Sequence, residues 1–246
     1  MTQQVATVPE EWAPRAPVAG IPPLRGHRWA TRRLEPGQDL YTADERTARL
    51  FVIVDDLLIS RSDLDQVAEL LGPGDVVNTA ALASTEAWAA AYGTTVTALS
   101  PARTRSIKLT TLTSVMARNP ALSLWLAASV AHRIRRIETQ RLLRLDSSAG
   151  DASSLVAWIL LRLQSCLGSD WICAGSRHRL SQSVLADLVG MKRETVNRSL
   201  GLMRRRGWVT VVDDHLVIVD RGALERRARH ALRIAPVPDL QGWSAQ

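Results

Sequence analysis

The chain has 246 residues, is 46% hydrophobic and 22% charged, and carries a formal net charge of +7 at pH 7. That length suits one or two domains with a core in each, and the basic balance suits a polyanionic partner. No run of about eighteen apolar residues is present, which excludes a spanning helix, and the opening MTQQVATVPEEWAPRAP lacks the basic start and apolar stretch of a secretory signal, so a cytoplasmic location is expected.

Residues 1–23 read as a flexible tail. Residues 24–118 read as β-rich: Leu50–Val54 and Leu57–Ser60 are apolar runs split by Asp55-Asp56, which signals a hairpin. Turn punctuation recurs at Pro36-Gly37, Gly72-Pro73-Gly74-Asp75, Tyr92-Gly93 and Ser100-Pro101. Short strands at this spacing predict a small sandwich or barrel.

Residues 119–146 predict one long helix, with Pro120 suited to its first turn. Leu122, Leu126, Val130, Ile134 and Ile137 form an apolar stripe in steps of four and three. Such a stripe serves either a partner helix or the β-rich domain of the same chain. Arg141 and Arg144 stand where it would continue and weaken a seam at that end. The polar stretch Asp146–Asp151 reads as a hinge, with Asp151 as N-cap of a helix from Ala152 to about Leu167.

The most informative stretch is LSQSVLADLVGMKRETVNRSLGLMRRR at 180–206. Ser181 is a candidate N-cap, Val184, Leu185 and Leu188 mark an inward face, and Gly190 stands where a helix must stop and turn. A second helix is expected over about 193–206. At roughly 100° per residue, Arg193, Glu194, Asn197 and Arg198 fall within about 140° of arc, with Val196, Leu200 and Met203 on the other side. This is the layout of a helix-turn-helix whose second helix enters a major groove. Arginine reads guanine, glutamate accepts from cytosine, and asparagine pairs with adenine. A merely solvated face would also carry arginines, but the cap, the turn glycine and the run Arg204-Arg205-Arg206 favour DNA. Thr195, Arg204, Arg205 and Lys192 are candidate contacts to the phosphate backbone, which position without specifying. Two β-rich runs, 208–212 and 215–219, follow around Asp213-Asp214 and read as a wing. Residues 236–246 read as a second tail.

RETVNR at 193–198, preceded by LSQSVLADLVG and followed by a hairpin, resembles the CRP/FNR family of bacterial transcription regulators. LEPGQDLY at 34–41 and LLGPGDVV at 70–77 are similar to the repeated turns of that family's cyclic-nucleotide-binding β-roll. The resemblance spans about residues 24–230. It implies an α+β chain in three parts: a jelly-roll-like β-roll over 24–118, a dimerisation helix over 119–146 with Leu126, Val130, Ile134 and Ile137 in the seam, and a winged helix-turn-helix over 147–235. It also implies base readout by Arg193, Glu194 and Arg198, with Asn197 tuning specificity. Backbone contacts would include Ser181. The implied assembly is a homodimer on a palindrome of TGTGA- or TTGA-like half-sites, with RNA polymerase as protein partner. The hinge at Asp151 would set the orientation of the two reading helices.

Two departures matter. Met191-Lys192 replaces the Ser or Thr cap common before the recognition helix. In the cassette that holds a cyclic nucleotide, the position of the ribose carboxylate reads Val77-Asn78-Thr79-Ala80, and that of the phosphate arginine reads Ala91-Tyr92-Gly93-Thr94. A buried phosphate without a cation is costly, so cyclic AMP in the usual mode is not expected. Thr79, Thr94 and Thr95 supply hydroxyls, and Trp88 and Tyr92 could line an effector pocket for an unknown ligand. Haem would need an axial ligand, and His27 and His132 come with no supporting pattern. Cys166 and Cys173 match no redox or zinc spacing. No cofactor and no metal are expected. No nucleophile elbow, P-loop, HExxH or dinucleotide fingerprint appears, so an enzyme is not expected. Two other classes remain: a ligand-binding signalling module acting through protein contacts, and an architectural DNA binder.

Overall fold

The structure, a computed structural model, describes residues 29–45, 48–62, 68–79, 94–148, 152–167, 171–172, 181–212 and 215–232. The N-terminal part is two antiparallel four-stranded sheets. The strands are β1 (Ala30–Leu34), β2 (Asp39–Tyr41), β3 (Arg49–Asp55), β4 (Leu58–Ser62), β5 (Ala68–Leu71), β6 (Val76–Val77), β7 (Thr94–Ala98) and β8 (Ala102–Lys108). One sheet has the order β1-β8-β3-β6 and the other β2-β7-β4-β5. This is the expected α+β fold with a β-roll.

The expected hairpin of β3 with β4 does not form. β3 pairs with β6 and β8, whereas β4 pairs with β5 and β7, so the chain changes sheets at Asp55–Leu57. Asp56 turns the corner at φ 64°, and Arg103 is tied to Asp55 on the same corner. The uninterrupted apolar runs have their reason here, because each strand is buried on both faces. Phe51 and Ile53 point between the sheets, where they meet Leu58, Leu71 and Val96. Leu50 and Val52 point out, against two helices. Leu57 and Ile59 point the other way, into a core shared with the C-terminal part.

Matching turns set the roll's ends. At Glu35–Gln38 and Gly72–Asp75 the last N–H donates to the first carbonyl, over 2.9 and 3.0 Å. Gly74 at φ 84° takes the left-handed position such a turn needs after proline.

Helix α1 (Leu109–Met116) follows the roll, and α2 (Pro120–Ser148) starts with the Asn119 carboxamide accepting from Leu122 N–H at 3.2 Å. α2 runs through residues 146–148, which the sequence assigns to the hinge; Asp151 lies outside the described residues. Leu126 is only 3% exposed, packed with Leu122, Ile107 and Leu112 of its own roll. The stripe therefore divides: Leu122 and Leu126 face the roll, Val130 packs at its edge, Ile137 is half-buried, and Ile134 is 51% exposed.

α3 (Ala152–Leu167) is buried from Ser153 to Ser165, and it anchors α4 (Gln182–Val189), α5 (Arg193–Arg205) and α6 (Arg221–Leu232). A helix buried all round is central rather than peripheral. Two of its buried polar side chains are bonded by α6: Arg221 donates to Gln164, and Arg227 to Ser153. A small sheet of order β10-β11-β9 completes the fold, built from β9 (Trp171–Ile172), β10 (Val209–Val212) and β11 (His215–Ile218). β9 and α6 are additions to the sequence reading. The signal for α6 was legible, since Asp220 caps it, accepting from Ala223 N–H at 2.8 Å. Among the described residues no helix is long and apolar enough to cross a membrane.

Candidate nucleic-acid interface

The reading unit is assembled from its turn. Ser181 holds extended backbone, and its hydroxyl accepts from Val184 N–H at 3.2 Å, closing the start of α4. Gly190 ends α4 at φ 68°, ψ 36°, a left-handed position that costs a side-chain-bearing residue more than glycine. Its N–H donates to Ala186 O at 2.7 Å, and Met191 N–H reaches the same carbonyl at 3.1 Å. Two residues later α5 begins.

α5 has one packed side and one open side. Val196 and Met203 are fully buried and Leu200 nearly so, against Leu185, Leu188 and Val189 of α4 and against α3. Arg193, Glu194, Asn197 and Arg198 are all exposed. Arg193 is held in place by α4: its Nε and Nη2 donate to Gln182 Oε1 at 3.2 and 3.1 Å. Gln182 is a positioning residue that the sequence reading missed, and its place in the first turn of α4 gave no separate signal. Thr195 is half-buried, with its carbonyl accepting from Ser199.

The start of α5 is capped by no side chain, as Lys192 in that position suggests. Glu194 sits favourably in the first turn, and Arg204 and Arg205 in the last, with respect to the helix dipole. Arg204 and Arg205, with Gly201, Val209 and Thr210, line an open cleft of about 520 Å³ between α5 and the wing. Arg206 stacks on Trp208, 5.1 Å from the ring centroid. The wing strands pair in the register Val209↔Ile218 to Val212↔His215, and Asp213-Asp214 lie outside the described residues.

The arrangement defines a winged helix-turn-helix protein. Residues 156–227 match the Crp-like helix-turn-helix domain. A CRP-like cAMP-activated global transcriptional regulator of Mycobacterium tuberculosis is 28% identical over 209 residues, covering 81% of this chain and 90% of that protein. FixK2 from Bradyrhizobium japonicum superposes with a TM-score of 0.65 at 20% identity, over 81% of this chain and 97% of that one. A CRP-family regulator from Thermus thermophilus gives a TM-score of 0.62 at 21% identity, over 80% and 96%. Residues 156–227 form a Crp-like helix-turn-helix domain, and the chain is a DNA-binding transcription regulator similar to CRP-like regulators.

Two of the residues expected around an effector, Thr79 and Thr94, are among those described. Thr79 follows β6 in one sheet and Thr94 opens β7 in the other; Trp88 and Tyr92 lie outside the described residues. Asn78, within the stretch 77–80 expected to hold the ribose, is buried at φ 65° and donates from Nδ2 to Arg49 O at 2.6 Å. The Thr95 hydroxyl accepts from Ala43 N–H at 3.1 Å. Burial raises the Cys166 thiol above its usual range, which keeps it uncharged at neutral pH. Cys173 lies outside the described residues.

Proposed function

We propose that the chain acts as a homodimer that reads a two-fold-symmetric DNA site through α5, without cyclic AMP held in the usual mode. The observation that carries this reading is the open face of α5. Four side chains suited to base edges are exposed, on a helix whose opposite side is locked into the core. Arg193, Glu194, Asn197 and Arg198 take the base edges. Ser181, Lys192, Thr195, Arg204 and Arg205 take the phosphates, Arg204 and Arg205 from the cleft beside the wing.

The outward face of α2 supports the dimer. Leu124 is 73% exposed, and with Ala127, Ala131, Ile134 and Glu138 it runs in steps of three and four. At about 100° per residue these positions lie opposite Leu122, Leu126, Arg133 and Gln140, which face the chain's own core. Spacing of three and four is that of a coiled-coil seam, and the alanines permit close approach. This seam keeps Ile134 and replaces Leu126, Val130 and Ile137 with Leu124, Ala127, Ala131 and Glu138. Residues 147–235 are the DNA-binding part, with the hinge near Asp151, and RNA polymerase is the protein partner this reading implies.

The Mycobacterium tuberculosis protein is named as cAMP-activated. This chain has Val77-Asn78-Thr79-Ala80, with no acidic residue, where the resemblance puts the ribose carboxylate, and the Asn78 carboxamide is engaged by Arg49 O.

Two substitutions test the assignment together. Arg198→Ala is expected to lower specific binding by about 1–3 kcal/mol and to relax preference at one base pair. Arg205→Ala is expected to weaken every duplex alike and to reduce the salt slope by about 1. Fluorescence anisotropy on single-base variants of the site at several salt concentrations measures both. An equal loss on every sequence for Arg198→Ala would refute its role in readout.

A further inference from the structure

We propose that the buried ion cluster joining β5–β6, α2 and α3 is a latch that fixes the reading unit on the roll in its DNA-competent arrangement, an inference that rests on readout through α5. Asp75 is 0% exposed by its side chain, and its carboxylate meets all three bodies. Its Oδ2 accepts from Gly72 N–H at 2.9 Å, within the roll's turn, and from Arg162 Nη2 of α3 at 3.2 Å. Its Oδ1 lies 2.7 Å from Arg136 Nη2 of α2. Glu69 holds Arg133 of α2 through bonds of 2.8–3.1 Å, and Arg133 also donates to Val76 O at 3.3 Å. Three guanidinium groups thus share two carboxylates.

The apolar core that runs from Leu57, Ile59 and Leu70 of the roll into α3 is non-directional and does not by itself select one angle between the parts. Charge-assisted bonds to a buried carboxylate do select one. Removing a partner leaves buried charge uncompensated, so the cluster holds or fails together. Burial opposes the charge on Arg162, yet Cys166, Asp75 and Glu69 beside it together outweigh burial and hold its pKa above the ordinary value.

Close packing narrows the angle further. A Cβ on Gly72 would lie 2.5 Å from Cys166 Sγ, so the roll's turn and the end of α3 meet at glycine distance. On the far side of the unit, α4 is tied down as well. Arg61 pairs with Asp187 at 3.3 Å, and Gln140 and Arg144 of α2 donate to the Leu188 and Val189 carbonyls over 2.7–3.2 Å. Arg144 is thereby engaged with α4. In this latched arrangement Arg193, Glu194, Asn197 and Arg198 remain exposed. A contact that masked the reading face would cover them, so the latch positions the face.

The test uses the full-length protein and two independent probes. Gly72→Ala wedges the junction open with every charge kept, and Asp75→Asn removes the central charge with almost no change of shape. Affinity for a selected two-fold site and for a scrambled duplex is measured at one salt concentration, beside thermal melts. Each variant is expected to lose about 2- to 30-fold in specific affinity, the range for changes that alter coupling away from the ligand, with binding to scrambled DNA nearly unchanged. Adding Cys166→Ala to Gly72→Ala is expected to restore specific affinity, because it removes the sulfur the wedge meets. Unchanged specific affinity in folded variants overturns the latch, and so does an equal loss on both duplexes, which would assign the cluster to stability alone. Tighter binding also overturns it, by making the contact inhibitory. A wild-type protein that does not discriminate the two duplexes defeats the underlying reading, a different result from a selective wild type with indifferent variants.

Discussion

Replacing Ala131 with arginine is expected to split the proposed dimer and to lower affinity for a two-fold-symmetric site by about 10²–10⁴-fold, the gain that linking two binding modules confers. Ala131 lies on the outward face of α2, between Ala127 and Ile134. In a symmetric pair each arginine would meet its own copy, adding like charge and bulk where two helices approach closely. The fold of the single chain should be untouched, because the position is exposed and helix-compatible. Sedimentation equilibrium measures the assembly, and anisotropy on a full site and on an isolated half-site measures the consequence. Half-site affinity should stay as it was. A variant that remains dimeric at the wild-type concentration would show that the seam lies elsewhere.

Leu188→Ala is expected to cost about 2–5 kcal/mol of stability, the range for truncating a large buried aliphatic side chain. Leu188 is fully buried in α4 and packs in the core that joins α3, α4 and α5 to the roll. Its backbone carbonyl is also the acceptor for Gln140 and Arg144, so a cavity there loosens the ties of α4 to both α5 and α2. Val219→Ala, at an exposed position after the wing, should change stability by no more than about 0.5 kcal/mol. Chemical denaturation of both variants tests the pair. A Leu188→Ala protein as stable as the Val219→Ala protein would contradict the packing described here.

The reading unit was the most legible part of the chain, and the reason is that its signals are local. Ser181, Gly190 and the spacing of Val196, Leu200 and Met203 each act within one or two turns, and the structure places each where its chemistry requires. The paired turns at 35–38 and 72–75 were legible for the same reason.

What misled depended on distant partners. The runs at β3 and β4 look like a hairpin because nothing local shows that each is buried on both faces by different layers. The stripe on α2 is genuine, yet periodicity does not say whether it faces a second chain or its own roll; Leu126 went to the roll. Arg133, Arg136 and Arg162 carry no local mark of their partners, because Glu69 and Asp75 come beside them only in the fold. The uncapped start of α5 was visible as Lys192, whereas the support that Gln182 gives Arg193 crosses between helices and was not.

The central claim is that two copies of α5 read a symmetric sequence, and selection from a randomised DNA pool tests it most directly. The purified protein is used without added nucleotide, and bound duplexes are recovered and sequenced. An enriched motif with two-fold symmetry is expected, its half-sites centred about one helical turn, roughly 10 base pairs, apart. A pool that stays unenriched, or a single asymmetric half-site, would contradict it.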